Sequence, residues 1–202
     1  MLRVNEIFYS LQGEGHNTGR AAVFIRFAGC NLRCPFCDTE FDSYTEMTAR
    51  QILASIKDYP TRFIVLTGGE PTLQVNEHFV DLLHRHDYEV AMESNGTRPA
   101  PKNIDWLTVS PKFSGEWRVE SGERTPDEIK IVFEEDTPAK LATLSPQLAT
   151  LSPQLPPLLY LQPCDTGNKE RNAYILHDCI EYIKQHPEWR LSLQTHKLTG
   201  IQ

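Results

Sequence analysis

The chain is poor in the features that would place it outside water or on nucleic acid. Its longest uncharged stretch, Leu141 to Cys164, is interrupted by Pro146, Pro153, Pro156, Pro157 and Pro163, which excludes a membrane-spanning helix. Met1 to Gly15 carries Arg3, Glu6 and Glu14 and lacks the apolar run of a secretory leader. Basic residues are in deficit, 20 against 27 acidic, and a net charge of -7 argues against a non-specific grip on nucleic acid or anionic lipid. Five cysteines in 202 residues are too few for a disulfide scaffold, and a reducing cytosol is the expected setting.

What is present is an ordinary globular composition, 40% hydrophobic and 23% charged, long enough for one core over residues 1–202. A first strand is expected to begin almost at once. Ala22–Phe27 reads as a strand stopping at Gly29. Thr48 caps a helix through about Lys57, and Phe63–Leu66 reads as a buried strand ending at Thr67-Gly68-Gly69. His78–His86 reads as a helix, followed by strands at Val90–Met92, Trp106–Val109, Glu128–Val132, Leu158–Leu161 and Arg190–Leu193, with a helix from about Arg171 to Gln185. Alternating strands and helices predict parallel β/α units with function on loops at the C-terminal strand ends. A complete eight-fold barrel needs ~250 residues, so an α/β fold with an incomplete, TIM-type barrel of about six parallel strands is expected.

One segment breaks the pattern. Leu141–Gln147 is repeated letter for letter as Leu148–Gln154, within a Pro-containing surface connection at 136–157. A seven-residue duplication is too short for a solenoid and reads as a lengthened connection, a short helix broken at Pro146.

Three cysteines, Cys30, Cys34 and Cys37, lie in the loop after the strand at Ala22–Phe27. Three thiolates hold three corners of a cubane iron–sulfur cluster and leave one iron open, whereas a structural zinc site takes four protein ligands, here with Cys164, Cys179 or a histidine as the fourth. Spacing alone leaves both open. His84 and His86 read as a solvated face, Cys179 as a small buried residue, and Trp106, Trp117 and Trp189 as packing.

The Cys30-x-x-x-Cys34-x-Phe36-Cys37 loop resembles the radical S-adenosylmethionine (SAM) superfamily, as does Thr67-Gly68-Gly69-Glu70-Pro71 after the second of these strands. That resemblance implies a [4Fe-4S] cluster whose open iron is chelated by SAM, reductive cleavage to methionine and a 5′-deoxyadenosyl radical, and abstraction of a substrate hydrogen. Ser10–Gly15, Phe24–Arg26, Cys37-Asp38-Thr39, Ser94-x-Gly96-Thr97, Ser110-Pro111-Lys112, Leu161–Pro163 and Arg190–Lys197 further resemble the 7-carboxy-7-deazaguanine synthase family. It implies ring contraction of 6-carboxy-5,6,7,8-tetrahydropterin with loss of ammonia, Mg²⁺ dependence and regeneration of SAM, on the path to queuosine, a tRNA modification.

Carried over position by position, the resemblance gives Leu11, Gln12, Gly13, Glu14, Arg26, Thr67, His196 and the C-terminal Gln202 to the pterin. It gives Thr39 to Mg²⁺. It gives Gly69, Glu93, Ser94, Ser110, Pro111, Lys112, Gln162, Pro163, Cys164 and Asp165 to SAM, with no redox role for Cys164. His196 is expected from the final strand, and Gln202 stands where the family often ends in Pro. For Arg26, an inward charge on a strand, the plainer reading is an ion pair with Glu14 or Glu70. The resemblance also implies a flavodoxin-like electron donor and a homodimer. A glycyl-radical-enzyme activase shares the cysteine loop without needing Gln12–Gly15 or Gln194–Lys197, and a non-catalytic electron-transfer or zinc module would need a fourth protein ligand.

Overall fold

The computed structural model describes residues 1–37, 39–112, 124–150 and 157–201. Trp117, Gln202 and the end of the second heptapeptide lie outside them. β1 (Leu2–Leu11) and β2 (Ala21–Phe27) form an antiparallel hairpin, and β3 (Thr45–Met47) pairs antiparallel with the other edge of β1. From β2 onward every pairing is parallel, through β4 (Phe63–Gly68), β5 (Glu89–Ser94), β6 (Trp106–Val109), β7 (Glu128–Phe133), β8 (Leu158–Pro163) and β9 (Trp189–Leu191). The order β3-β1-β2-β4-β5-β6-β7-β8-β9 leaves β3 and β9 as separate edges, so the barrel is partial.

The helices are α1 (Ala49–Ile56), α2 (Glu77–His84), α3 (Thr137–Thr150), α4 (Lys169–Gln185) and α5 (Thr195–Thr199). Thr48 and Gln51 close a reciprocal capping box on α1, and Asn168 caps α4 through the Arg171 N–H. Three short features were not expected from the sequence: β3, a 3₁₀ turn at Pro71–Leu73 and α5. The helix expected to break at Pro146 instead runs on to Thr150. Proline withholds a single N–H there, and the residues on either side keep helical backbone.

Strand alternation divides the sheet into two faces. Ile25, Phe27, Ile64, Leu66, Val90 and Met92 meet Ile52, Ile56, Phe79, Val80 and Leu83 of α1 and α2 in one core; Ile129, Ile131, Phe133 and Leu161 meet Ile175 and Cys179 of α4 in a second. Intervening positions face the barrel interior. There Ala22, Phe24, Phe63, Val65 and Ala91 pack together, and the same alternation gives this face Arg26, Thr67, Glu93, Lys130 and Gln162. On β2, β4 and β5 the inner face is thus apolar early in the strand and polar late, whereas on β7 the charged Glu128 and Lys130 precede Val132. Among the described residues no helix is long and apolar enough to cross a membrane.

Candidate active site

A cavity of about 700 Å³ opens where the polar inner-face residues and the cysteine loop converge. Every candidate site residue lines it except Pro111, which is buried, and Gln202, which lies outside the described residues.

The cysteine loop is fastened to the Gly-Gly-Glu-Pro turn by backbone contact. Gly69 N–H donates to Phe27 O and Glu70 N–H to Gly29 O, both at 2.9 Å. A Cβ on Gly69 would fall 2.1 Å from the Gly29 oxygen, and Gly68 has φ +117°, so both glycines are needed for this approach. The fully buried Glu70 carboxylate accepts from Thr72 N–H, Ser94 Oγ and Asn95 N–H, tying this turn to the end of β5. Asn95 then directs its amide at Asn31 Oδ1 (3.0 Å) and Cys30 Sγ (3.9 Å). Sequence reasoning missed Asn95, although it stands inside the Ser94–Thr97 motif.

Cys30, Cys34 and Cys37 are unpaired and line the cavity, Cys37 being exposed. Burial pushes the Cys30 thiol up, opposed by the Leu32 N–H that points at its sulfur. Three thiols from one loop, with N–H groups directed at a sulfur, are a donor set that fits a cubane cluster. Among the described residues no three His, Cys, Asp or Glu side chains stand close enough for one metal ion. Cys179, offered as a fourth zinc ligand, is instead fully buried in the core beneath α4. Cys164 is buried but lines the cavity.

Arg26 corrects the plainer expectation. Its partner is neither Glu14 nor Glu70 but Glu6, directly opposite in the β1–β2 register, with Nε 2.7 Å from Oε1. The guanidinium also lies 5.5 Å from the Phe8 ring. Glu14 is bound elsewhere. It is half-buried, accepts from Gln194 at 3.1 Å, and pairs with Lys130 on β7. Burial alone would raise the Glu14 carboxyl, but the adjoining Lys130 ammonium, the Gln194 hydrogen bond and His196 together outweigh it and hold it at about 2.

Lys130 is 4% exposed and also stands 3.6 Å from Glu93, which accepts from Gln12 Nε2 at 2.9 Å. Sequence reasoning missed it. The signal was the alternation Glu128-Ile129-Lys130-Ile131-Val132, in which a strand covered by a helix on its apolar face aims its charges at the interior.

His196 belongs to α5 and not to the final strand, because β9 ends at Leu191. Thr195 N–H and Oγ1 both donate to Gly13 O, and a Cβ on Gly13 would lie 2.3 Å from His196 Nδ1. Gly13 therefore makes room for the imidazole. Gln162 is fixed by Ser192, whose hydroxyl also receives the Gly15 N–H. Asp165 accepts from Gly167 N–H, Lys197 and Asn172, which hold its carboxyl at about 2. Lys112 donates to Ser110 Oγ at 2.7 Å beside the Phe36 ring, and burial, with Lys130 nearby, lowers its ammonium below the ordinary lysine range. Thr39 lines the rim next to Glu40, whose carboxylate is held by Ser43 and Asn5. His84, set aside as a surface residue, bonds Asp105 at 2.8 Å.

The site thus combines a three-thiol loop, a carboxylate–ammonium centre and an inward arginine around one cavity. The radical SAM superfamily model matches residues 24–111. A 7-carboxy-7-deazaguanine synthase of Bacteroides thetaiotaomicron is 44% identical over 202 residues, covering 100% of both chains. One of Nitratidesulfovibrio vulgaris is 38% identical, covering 98% of both. Among solved structures, QueE from Escherichia coli superposes with a TM-score of 0.77 at 29% identity, covering 95% of this chain and 93% of that one.

Proposed function

Since the chain belongs to the 7-carboxy-7-deazaguanine synthase family, we propose that this cavity turns 6-carboxy-5,6,7,8-tetrahydropterin into 7-carboxy-7-deazaguanine and ammonia by a Mg²⁺-dependent ring contraction. The enzyme is a radical SAM enzyme of queuosine biosynthesis, and its cofactors are a [4Fe-4S] cluster, SAM and Mg²⁺. It acts on a small molecule and needs a reductant. The observation that carries the substrate reading is the meeting of the cysteine loop with Gln12, Glu14, Arg26 and Thr67 around one cavity of pterin-plus-SAM size.

Cys30, Cys34 and Cys37 hold the cluster, which with SAM supplies the hydrogen-abstracting radical. Gln12, Glu14 and the backbone of Leu11 and Gly13 pair with the donor and acceptor edge of the pterin. Arg26 meets Glu6 at Nε, and its Nη pair takes the substrate carboxylate bidentately. Thr39 would hold Mg²⁺ through its hydroxyl, and the ion would supply positive charge toward the same carboxylate. By fixing the carboxylate, Arg26 and Thr39 would orient the substrate in the cavity, and the bound metal would supply charge stabilisation there. Thr67 and His196 close the substrate side. Gly69, Glu93, Ser94, Ser110–Lys112 and Gln162–Asp165 hold SAM.

The same reading makes residues 1–202 one domain, with 136–157 as a surface connection, and assigns Gln202 to the pterin. From the family it takes a flavodoxin-type donor, a homodimer and a cytoplasmic setting, without nucleic-acid contact in keeping with the net charge of -7. The test is mass spectrometry of products after anaerobic cluster reconstitution with reductant, SAM, Mg²⁺ and the carboxytetrahydropterin. 7-Carboxy-7-deazaguanine is the expected product. 5′-Deoxyadenosine without it would overturn the substrate reading and leave the radical chemistry standing.

A further inference from the structure

We propose that Lys130 is a positioning residue for the pterin: buried on the inner face of β7, its ammonium keeps Glu14 ionised as the acceptor for the N–H edge of the ring, and ties that carboxylate to Glu93. This rests on the substrate reading above. A 2-amino-4-oxopyrimidine edge offers adjacent N–H donors, which an ionised carboxylate accepts as a pair and a protonated one does not.

Burial by itself raises the Glu14 carboxyl, because it disfavours the charged form. The groups facing it decide otherwise. Lys130 bonds Glu14 from β7, Gln194 donates to its other oxygen, and His196 on α5 adds attraction. Facing Lys130 are Glu93 on β5 at 3.6 Å and Glu128 two residues earlier on its own strand, with Lys112 as the neighbouring cation. Lys130 is thus the group that bridges two carboxylates given to different ligands, Glu14 to the pterin and Glu93 to SAM. Gln12 closes the circuit by donating to Glu93 while accepting the Glu14 backbone N–H at 3.2 Å. Side chains two strands apart are thereby held in one geometry before the substrate enters.

The test is the equilibrium affinity of reconstituted, SAM-loaded protein for 6-carboxypterin, the fluorescent oxidised analogue, between pH 6 and 9. Variants are compared with the unsubstituted protein at each pH, so titration of the ligand cancels. Lys130→Met should weaken binding at least tenfold at pH 6.5, the ratio closing toward one by pH 9 as Glu14 ionises unaided. Lys130→Gln, which keeps a donor without charge and leaves a polar partner where Met would not, should show the same slope. Lys130→Arg should restore the flat profile. A ratio near one throughout, or a loss that is large but independent of pH, would overturn the proposal, the latter marking a merely structural role. Failure of the unsubstituted protein to bind 6-carboxypterin at any pH would instead overturn the substrate reading on which it rests.

Discussion

Gly69 and Gly29 meet backbone to backbone, so closely that a methyl group on Gly69 would lie 2.1 Å from the Gly29 carbonyl oxygen. The contact joins the end of β4 to the start of the cysteine loop, and the Glu70 N–H to Gly29 O bond depends on it. Gly69→Ala must therefore push the loop away from the turn. Iron and acid-labile sulfide after reconstitution should fall by more than half, while the circular dichroism of the apoprotein stays unchanged. Full cluster loading in Gly69→Ala would show that the loop finds its place without this junction.

The ligand set separates the cluster from a zinc site. Cys30→Ala, Cys34→Ala and Cys37→Ala should each abolish the visible absorption of the reconstituted cluster. Cys179→Ala leaves a cavity in the core beneath α4 and should cost about 1–2 kcal/mol of stability with the cluster retained. Cys164→Ala should retain it also. Loss of iron in either of these last two variants would point to a fourth protein ligand.

Glu128 sits under the N-terminal segment, accepting the His16 N–H at 2.9 Å, with its Oε1 2.1 Å from where a Gly15 Cβ would be. Burial raises its carboxyl to about 7, against an ordinary 4.5, with Lys130 opposing and Glu93 and Glu14 adding to the rise. A folded-state value above the unfolded one means that Glu128 contributes stability below pH 4.5 which is lost as pH rises through 7, on the order of 3 kcal/mol in all. Glu128→Gln keeps an acceptor for His16 and removes the titration. Its melting temperature relative to the parent should climb by several degrees between pH 5 and pH 8. A difference that does not change with pH would place Glu128 in an ordinary solvated environment.

The cysteine loop and the Gly-Gly-Glu-Pro turn were legible because ligand chemistry and close backbone approach restrict residue type at fixed spacing. So were the long strands and α1, α2 and α4, whose periodicity and caps are local. What the chain could not reveal depends on register and on which strand face points inward. Arg26 meets Glu6 only because the hairpin pairs those two positions. Lys130 reads as one more charge on a strand until the parallel sheet places it between Glu14 and Glu93. β3 has three residues and owes its form to the β1 edge, and α5 follows a strand too short for periodicity to mark its end.

Thr39 is half-buried and lines the cavity. Thr39→Ala should leave cluster content and SAM binding unchanged while lowering turnover about tenfold and flattening its dependence on Mg²⁺. Steady-state rates across a magnesium titration check this. An unchanged magnesium response would remove Thr39 from the metal site.

Arg26 and Glu6 allow the substrate clamp to be told apart from a structural ion pair. Were the pair structural, removing either partner would do comparable harm, since the same contact is lost. Were Arg26 the carboxylate clamp, the two halves would differ. Glu6 meets the guanidinium at Nε, and side chains 24% and 37% exposed place the pair where screening limits it to about 1 kcal/mol or less. Glu6→Gln keeps an acceptor for that nitrogen and should change KM for the pterin less than threefold. Arg26→Lys retains the charge but not the planar fork, and should raise KM at least tenfold with the cluster intact. The comparison is sharpest with a substrate analogue that lacks the carboxylate. The parent enzyme should bind it as weakly as Arg26→Lys does, and the arginine substitution should then have no further effect. An additive loss of affinity would show that Arg26 supports the site from Glu6 and does not touch the carboxylate.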